Sequence, residues 1–584
     1  MYRWSLDNLY LGLEDHKFIN DMEMIDEVIN KLDDLSTKLT EGRLELKLEE
    51  YLKTLEKYHL LATKLMSFVY LILATDSTNS AYNNTMVVLQ QKFVRTTLAN
   101  TLFEKFVAQI SDLDFVINQS DFLKEYSFIL WEIKDNAIHL LSEQEEVLAA
   151  ELNQSGGSLF SKMQNDLTST LEVEYNGEIV TLPKIRNLAY DANPKKRKTA
   201  YEAELKAYKK IEKASSFALN GIKKQVLTIS KKRKYLSPLE KTLKDSRINQ
   251  AVLDALLAAM MEYLPDFRRY LRRKGEVLGH QNGLPFYDLF APMGSSDRVY
   301  TIEEAQEFIL KNFATFSLDL HDLAKRAFTE NWIDYLPRTG KRGGAFCYSI
   351  YAIQESRILT NFDGSISDIS TIAHELGHAY HNIHLFDGRV LNSSYPMPIA
   401  ETASILCETI VKKAAYKEAT TKEEKLGMLE QELQDSTQVI VDILSRYIFE
   451  SNAFKRCEKE FLDEKTLNKM MLDAQLESYG DGLDPKYLNS GMWINKSHYY
   501  STSRSFYNFP YAFGLLFAKG IYAKFIEVGP AFVNDLKKLL SISGKANLMD
   551  VAKSINIDIT DINFWRSSLA VIKEDIELFM ELTK

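Results

Sequence analysis

Apolar residues recur three and four positions apart between Glu, Lys and Gln from Glu45 to Leu73, and again from Leu102 to Leu123. That spacing lays one greasy stripe along a helix and predicts amphipathic helices packed side by side. Few breakers interrupt them: the first proline is Pro183, and before Gly156-Gly157 the only glycines are Gly12 and Gly42. The period changes at Leu171–Leu182, where alternation flanks Asn176-Gly177 and predicts a hairpin closed by a type I′ turn. Helical patterning resumes from Pro194 through Leu264, a loop-rich stretch runs from His280 to Pro292, and Thr301 with Glu304 forms the capping box of a further helix. Between Pro337 and Pro398 the texture turns to glycine, β-branched and aromatic residues, so a small sheet is expected near residues 340–363. The chain reads as mainly α, a helical N-terminal region docked on a larger helical body.

Composition narrows the function classes. The 584 residues include 71 basic and 81 acidic side chains, a net charge of −10, and 45% are hydrophobic. Disorder would need far less apolar content, and a purely electrostatic nucleic-acid binder would need a basic excess. At about 150 residues per domain, the length corresponds to three or four domains. Cys347, Cys407 and Cys457 are odd in number and lack CxxC spacing, which argues against a disulfide framework or thiolate metal site and for a reducing compartment. The charged N-terminal segment has no signal-peptide pattern. The greasiest run, Leu65 to Ala74, is about half a bilayer span. A cytoplasmic protein without membrane or nucleic-acid partners is expected. The basic run Lys195-Lys196-Arg197-Lys198 reads as a solvated helix face.

Chemistry concentrates in Thr371-Ile-Ala-His374-Glu375-Leu-Gly-His378-Ala-Tyr-His381-Asn-Ile-His384. This is HExxH with further histidines. Positions i and i+4 project from one helix face, so His374 and His378 can bind one tetrahedral ion while Glu375 reaches a water beside it. Ser367 or Asp368 supplies an N-cap, and Ile369, Ile372, Ala373 and Leu376 can pack the helix. Gly377 costs about 1 kcal/mol relative to alanine in a helix, which makes sense if another backbone must approach there. A catalytic zinc keeps three protein ligands. After Pro396 and Pro398 a helix begins with Glu401 in its first turn and Glu408 seven positions on. Glu401 is assigned as the third ligand and Glu408 as the acceptor for a ligand imidazole N–H. Taken alone, Glu401 would read as a carboxylate favoured by the helix dipole.

The string HELGHAYH with Glu-Thr-Ala-Ser, Gly343-Gly-Ala-Phe-Cys-Tyr, Ile358-Leu-Thr-Asn-Phe-Asp-Gly, His498-Tyr-Tyr and Phe506-Tyr-Asn-Phe-Pro-Tyr511-Ala-Phe-Gly514 resembles the oligoendopeptidase F branch of the M3 metallopeptidases, the thimet-oligopeptidase-like family. Trp4-Ser-Leu-Asp-Asn-Leu-Tyr10 and Leu284-Pro-Phe-Tyr-Asp-Leu-Phe-Ala-Pro292 look like that branch too, so the resemblance spans nearly the whole chain. It implies an oligoendopeptidase F-type helical region over 1–190 and a catalytic region over 191–584. The implied fold is a large helical one around a deep substrate channel, with a small sheet near the active site. It also implies one Zn²⁺ per chain on His374, His378 and Glu401, with Glu375 as general base. By the same resemblance His498 orients substrate or stabilises the oxyanion, and Tyr507 hydrogen-bonds the tetrahedral intermediate. Where thimet-type members carry another functional tyrosine, counting gives Gly514, so either Tyr511 substitutes or that group is absent.

The expected activity is hydrolysis of internal bonds in short oligopeptides through a zinc-activated water. Gly344 and Ala345 belong to a segment compatible with an exposed edge strand that could pair with an extended peptide, or with a core strand behind a glycine turn. The tyrosines from His498 to Tyr511 could equally be packing. Two other classes compete. A carboxylate-bridged di-iron protein would use Glu375/His378 together with Glu56/His59, and a helical scaffold would retain the fold without catalysis. Among peptidases, a metallocarboxypeptidase-like enzyme would share HExxH but recognise a terminal carboxylate. Oligomeric state is left open.

Overall fold

The computed structural model describes residues 2–294 and 298–584 and, of Glu143, the backbone alone. Its helices gather into two compact units, fewer than the three or four domains that length implies. Unit 1 comprises Met1–Ile138, Arg298–Ala415 and Lys524–Asn556; unit 2 comprises His139–Asp297, Tyr416–Ala523 and Ile557–Lys584. The expected boundary after residue 190 falls inside unit 2, at the end of the 3₁₀ turn Leu188–Tyr190.

Unit 1 opens with α1 (His16–Thr37), capped by the Asp15 side chain accepting from Lys17 N–H, and α2 (Leu44–Thr75). By length and composition α2 is long and apolar enough to cross a membrane. In unit 1 its Leu48, Leu52, Leu65, Phe68 and Leu71 are buried in a core with Ile25, Ile29 and Leu32 of α1. The second predicted helical run, 102–123, is broken into Thr96–Gln109, Leu113–Asn118 and Asp121–Glu125. Asp112 and Ser120 cause the breaks: their side chains accept from Phe115 N–H and Leu123 N–H, each restarting a helix.

Unit 2 contains the predicted hairpin. Strands β1 (Glu172–Tyr175) and β2 (Glu178–Thr181) pair antiparallel with Tyr175 opposite Glu178. Asn176 and Gly177 have φ of 51° and 85°, as a type I′ turn requires. The basic run at the start of helix Pro194–Tyr208 departs from expectation at one position. Lys195 and Lys196 are exposed, but Arg197 is 3% exposed and donates to Asp288 Oδ1 at 2.7 Å and to the carbonyls of Asp191 and Ala192. One face of a helix start is solvated; the position pointing inward is tied to a carboxylate.

The small sheet lies in unit 1. It holds β3 (Ile333–Asp334), β4 (Phe346–Ile350) and β5 (Glu355–Leu359) in the order β3-β5-β4, so β4 is an edge strand. β3 runs parallel and β4 antiparallel to β5, with Cys347 opposite Ile358 and Ile350 opposite Glu355. Beyond β5 the chain bends at Gly364, φ +98°, where a Cβ would lie 2.9 Å from the Tyr300 carbonyl oxygen. It then enters helix Ile366–Phe386, here called the histidine helix. The N-cap is Ser365 rather than Ser367 or Asp368. Ser365 Oγ accepts from Asp368 N–H and the Asp368 carboxylate accepts from Ser365 N–H, a reciprocal box that leaves Asp368 at the third helical position.

Candidate active site

One turn apart on the histidine helix, His374 and His378 stand with ring centroids 4.9 Å apart. Their Nε2 atoms lie 3.2 and 3.3 Å from one oxygen of Glu401. One ligand atom from each residue falls within a 4.8 Å spread, and among the described residues this is the group of such donors that could hold a metal. Glu401 does not lie in the first turn of its helix. It occupies the break between the short helix Met397–Ala400 and the helix Thr402–Glu418, with its carbonyl accepting from Ile405 N–H at 3.0 Å. Ser404 Oγ donates to Glu401 Oε2 at 2.8 Å and fixes that carboxylate.

Gly377 brings the two helices together. A Cβ there would stand 2.5 Å from both the Ala403 carbonyl oxygen and Ser404 Cα, so only glycine admits the second backbone beside the histidines. On the far side of His374, Nδ1 lies 3.0 Å from Glu408 Oε2, while Glu408 Oε1 pairs with Lys412 Nζ at 2.5 Å. Since a carboxylate only accepts, Nδ1 carries the proton and Nε2 turns its lone pair to the centre.

Electrostatics at the centre call for a cation. Burial opposes charging His374, yet the flanking Glu401 and Glu408 outweigh it and push its pKa up to about 10. Burial likewise opposes ionising Glu401, but hydrogen bonds from His374 and His378 hold its carboxyl well below the usual range. Lone pairs of two imidazoles and a carboxylate oxygen crowd together only if positive charge sits among them. A proton is one solution, a divalent ion the other. The N, N, O donor set, with the outer nitrogen of His374 already fixed by a carboxylate, fits zinc and leaves a coordination position open.

Glu375 is 6% exposed, and burial raises its carboxyl pKa against the countering effect of His378 and His374. The backbone N–H of Cys347 on β4 faces this carboxylate. Beside it opens a cleft of about 450 Å³ lined on one side by Ala345, Phe346, Cys347 and Ser349 and on the other by the two histidines and Glu401. Gly344 (φ +79°) and Ala345 lie just ahead of β4, and the Gly344 carbonyl accepts from Asn361 Nδ2 at 2.8 Å.

Tyr395 is a cleft residue that no motif marks. Its ring stacks on His381 at 4.1 Å and 13°, and His381 Nε2 meets Ser543 Oγ at 2.8 Å. The extra histidine at 381 was the available signal. Burial lowers its pKa to about 3, and lowers that of His384, edge-on to Tyr380, to about 4, so both are neutral packing groups. The di-iron alternative finds no second centre among the described residues. Glu56 accepts from Tyr126 and lies 3.5 Å from Arg389 Nη1.

His498, Tyr507 and Tyr511 belong to unit 2. His498 sits in the 3₁₀ turn Ser497–Tyr500; burial, then Arg446, Lys496 and Lys223, push its pKa down to about 2. It is a neutral imidazole whose two buried nitrogens have no hydrogen-bond partner among the described residues. The ring lies 6.1 Å from that of Tyr507, whose hydroxyl is 2.9 Å from the Tyr511 hydroxyl. Phe506 holds a left-handed φ of 52° and donates its N–H to Glu450 Oε2 at 3.0 Å, which sets the direction of the next residue, Tyr507. Gly514 is buried in helix Phe509–Val528.

A helical body carrying HExxH on one helix, a converging glutamate on the next and an edge strand beside them has the make-up of a peptidase. Comparison with known proteins makes the class definite: residues 187–571 match the model of Peptidase family M3, and residues 111–172 that of Oligopeptidase F. The chain belongs to peptidase family M3. It is 23% identical to oligopeptidase PepF of Bacillus subtilis over 99% of this chain and 87% of that protein. With the oligoendopeptidase F homolog of Borreliella burgdorferi it shares 26% identity over 98% of both chains. Among solved structures, oligoendopeptidase-F from Enterococcus faecium has a TM-score of 0.69 at 18% identity, covering 97% of this chain and 98% of that one. The mainly helical fold with small sheets that the sequence resemblance implied is the fold adopted.

Proposed function

We propose that this peptidase is a zinc-dependent endopeptidase acting on short oligopeptides. The observation that carries the reading is the meeting of His374 Nε2 and His378 Nε2 with one oxygen of Glu401, at 3.2 and 3.3 Å, beside a buried Glu375. His374, His378 and Glu401 would hold the ion, and Glu408 would keep His374 in the ligating tautomer. When bound, zinc supplies Lewis acidity that lowers the pKa of a water toward about 7 and polarises a carbonyl.

Glu375 takes the proton of the attacking water and returns it to the leaving amine; a carboxyl pKa raised by burial suits both directions of transfer. The free edge of β4 supports backbone pairing with an extended peptide, with Gly344 and Ala345 opening the approach. Such pairing is indifferent to most side chains. In this reading His498 acts as a neutral N–H donor, and Tyr507 with Tyr511 as hydroxyl donors, toward the oxyanion. The names of the relatives, oligopeptidase and oligoendopeptidase, agree with short peptides as substrates. A cytoplasmic site of action is part of the same proposal.

The test is cleavage of peptides blocked at both ends, in a series of increasing length, with and without chelator. Chelator-sensitive cleavage that falls sharply for long or folded substrates, with about one zinc per chain, is expected. Cleavage that survives complete metal removal would overturn the zinc assignment, and failure to cut any blocked peptide would overturn the endopeptidase assignment.

A further inference from the structure

The loop leading into β4 carries three basic residues, and two are already neutralised. Arg338 Nη1 and Lys341 Nζ lie 2.7 and 2.6 Å from the Asp334 carboxylate. Arg342 has no carboxylate within ion-pair distance among the described residues, and it is exposed. Its guanidinium donates to the Tyr70 hydroxyl and lies 5.7 Å from the ring centroid of Phe346, the first residue of β4. Tyr70 in turn stacks on Tyr348 at 5.1 Å. The main chain is equally held: Arg342 N–H donates to the Ala74 carbonyl at 2.8 Å, and Asn361 Nδ2 bridges the carbonyls of Arg342 and Gly344 at 3.0 and 2.8 Å. At Gly343 and Gly344 an added Cβ would meet nothing within 4 Å, so the surface beside this cation is open.

We propose that Arg342 is a carboxylate-reading subsite, and that the preferred substrates carry a carboxylate a few residues beyond the cleaved bond on its C-terminal side. This rests on the endopeptidase reading above. Glu375 faces Cys347 N–H, so the bond to be cut lies opposite Cys347. A peptide pairing antiparallel with β4, the more stable arrangement, runs its C-terminal part toward residue 342. Five residues at about 3.3 Å each set an upper reach of roughly 16 Å, or about five substrate residues. A planar guanidinium braced by a phenol and an aromatic face is pre-set for bidentate carboxylate binding. The subsite then acts as a ruler that favours short peptides whose own C-terminus lies within that reach. An Asp or Glu side chain at the same distance offers the same chemistry.

The experiment compares kcat/KM for matched peptides: free acid against C-terminal amide, and amide peptides bearing Glu or Gln at the third or fourth position after the cut, each with wild type and Arg342→Gln. Wild type should lose about tenfold or more on C-terminal amidation. Arg342→Gln should cleave acid and amide alike, at the rate wild type shows with the amide, which also reports an intact fold. Partial recovery of acid preference in Arg342→Lys is expected. Recovery of the rate by Glu but not Gln in the amide series identifies side-chain carboxylates as a second source. An amidation effect of equal size in wild type and Arg342→Gln overturns the proposal, as does loss of amide cleavage in that variant. Wild type that cleaves none of these peptides instead overturns the endopeptidase reading on which the subsite depends.

Discussion

Gly377 and Ala403 touch backbone to backbone: a Cβ on residue 377 would stand 2.5 Å from the Ala403 carbonyl oxygen. The contact fixes how far the helix of His374 and His378 lies from the residues that follow Glu401, and so fixes the three-donor geometry. Gly377→Ala would gain helix propensity yet must push the two helices apart. Overpacking of this kind costs about 1–3 kcal/mol. A lower melting temperature and weaker zinc binding are expected by thermal unfolding and metal titration; wild-type values for both would mean that the close approach is not needed.

Glu375→Gln keeps the shape of the side chain and removes its basicity. Zinc content should stay near one per chain while turnover falls by about 10²–10⁴-fold, the usual size of a general-base contribution. Metal analysis alongside steady-state kinetics checks this, and near wild-type turnover would remove Glu375 from the role of base.

Glu408 holds Nδ1 of His374 at 3.0 Å without reaching the ion site itself. Glu408→Gln lets the side chain rotate and lose its charge, so zinc affinity should fall about 10–100-fold. At saturating zinc, activity should largely return. A variant with unchanged affinity would reduce the contact to packing.

Burial holds His381 and His498 neutral, with pKa pushed down to about 3 and about 2 from an ordinary value of 6.5. Above 6.5 neither histidine binds a proton in either state and stability is unaffected. As pH falls below 6.5 the unfolded chain takes up protons that the folded chain refuses. Stability is therefore lost between 6.5 and the folded pKa values, by about 1.4 kcal/mol per pH unit for each histidine. Denaturant unfolding from pH 7 to 4.5 should show this slope, and His381→Gln should lower it by one proton. An unchanged slope in that variant would mean that His381 is already protonated in the fold.

Several features were legible in the sequence because they depend on neighbours in the chain. Asn176-Gly177 supplies two positive φ angles, and Thr301 with Glu304 closes the expected capping box. Gly377 signals a close approach because glycine is costly in a helix and needs a compensating contact. Other features were not legible. Nothing local distinguishes Ser365 from Ser367 as the cap, and Asp112 breaks a run whose apolar period continues through it. Arg197 reads like its three basic neighbours until Asp288, far away in sequence, is brought to it.

By itself, the sequence determined the helical class, the hairpin and the pairing of two histidines with a glutamate at i, i+1 and i+4. Each follows from periods of two or 3.6 residues and from local hydrogen bonds, which act over one or two turns of chain. Only the tertiary structure decided that Glu401 sits at a helix break with its oxygen shared between His374 and His378, that Glu408 reaches His374, and that Tyr395 stacks on a buried His381. It also assembled each compact unit from three separated segments. Those relationships join residues tens to hundreds of positions apart, and they are set by which faces pack and by what backbone approach a missing Cβ allows. No short-range pattern encodes that information.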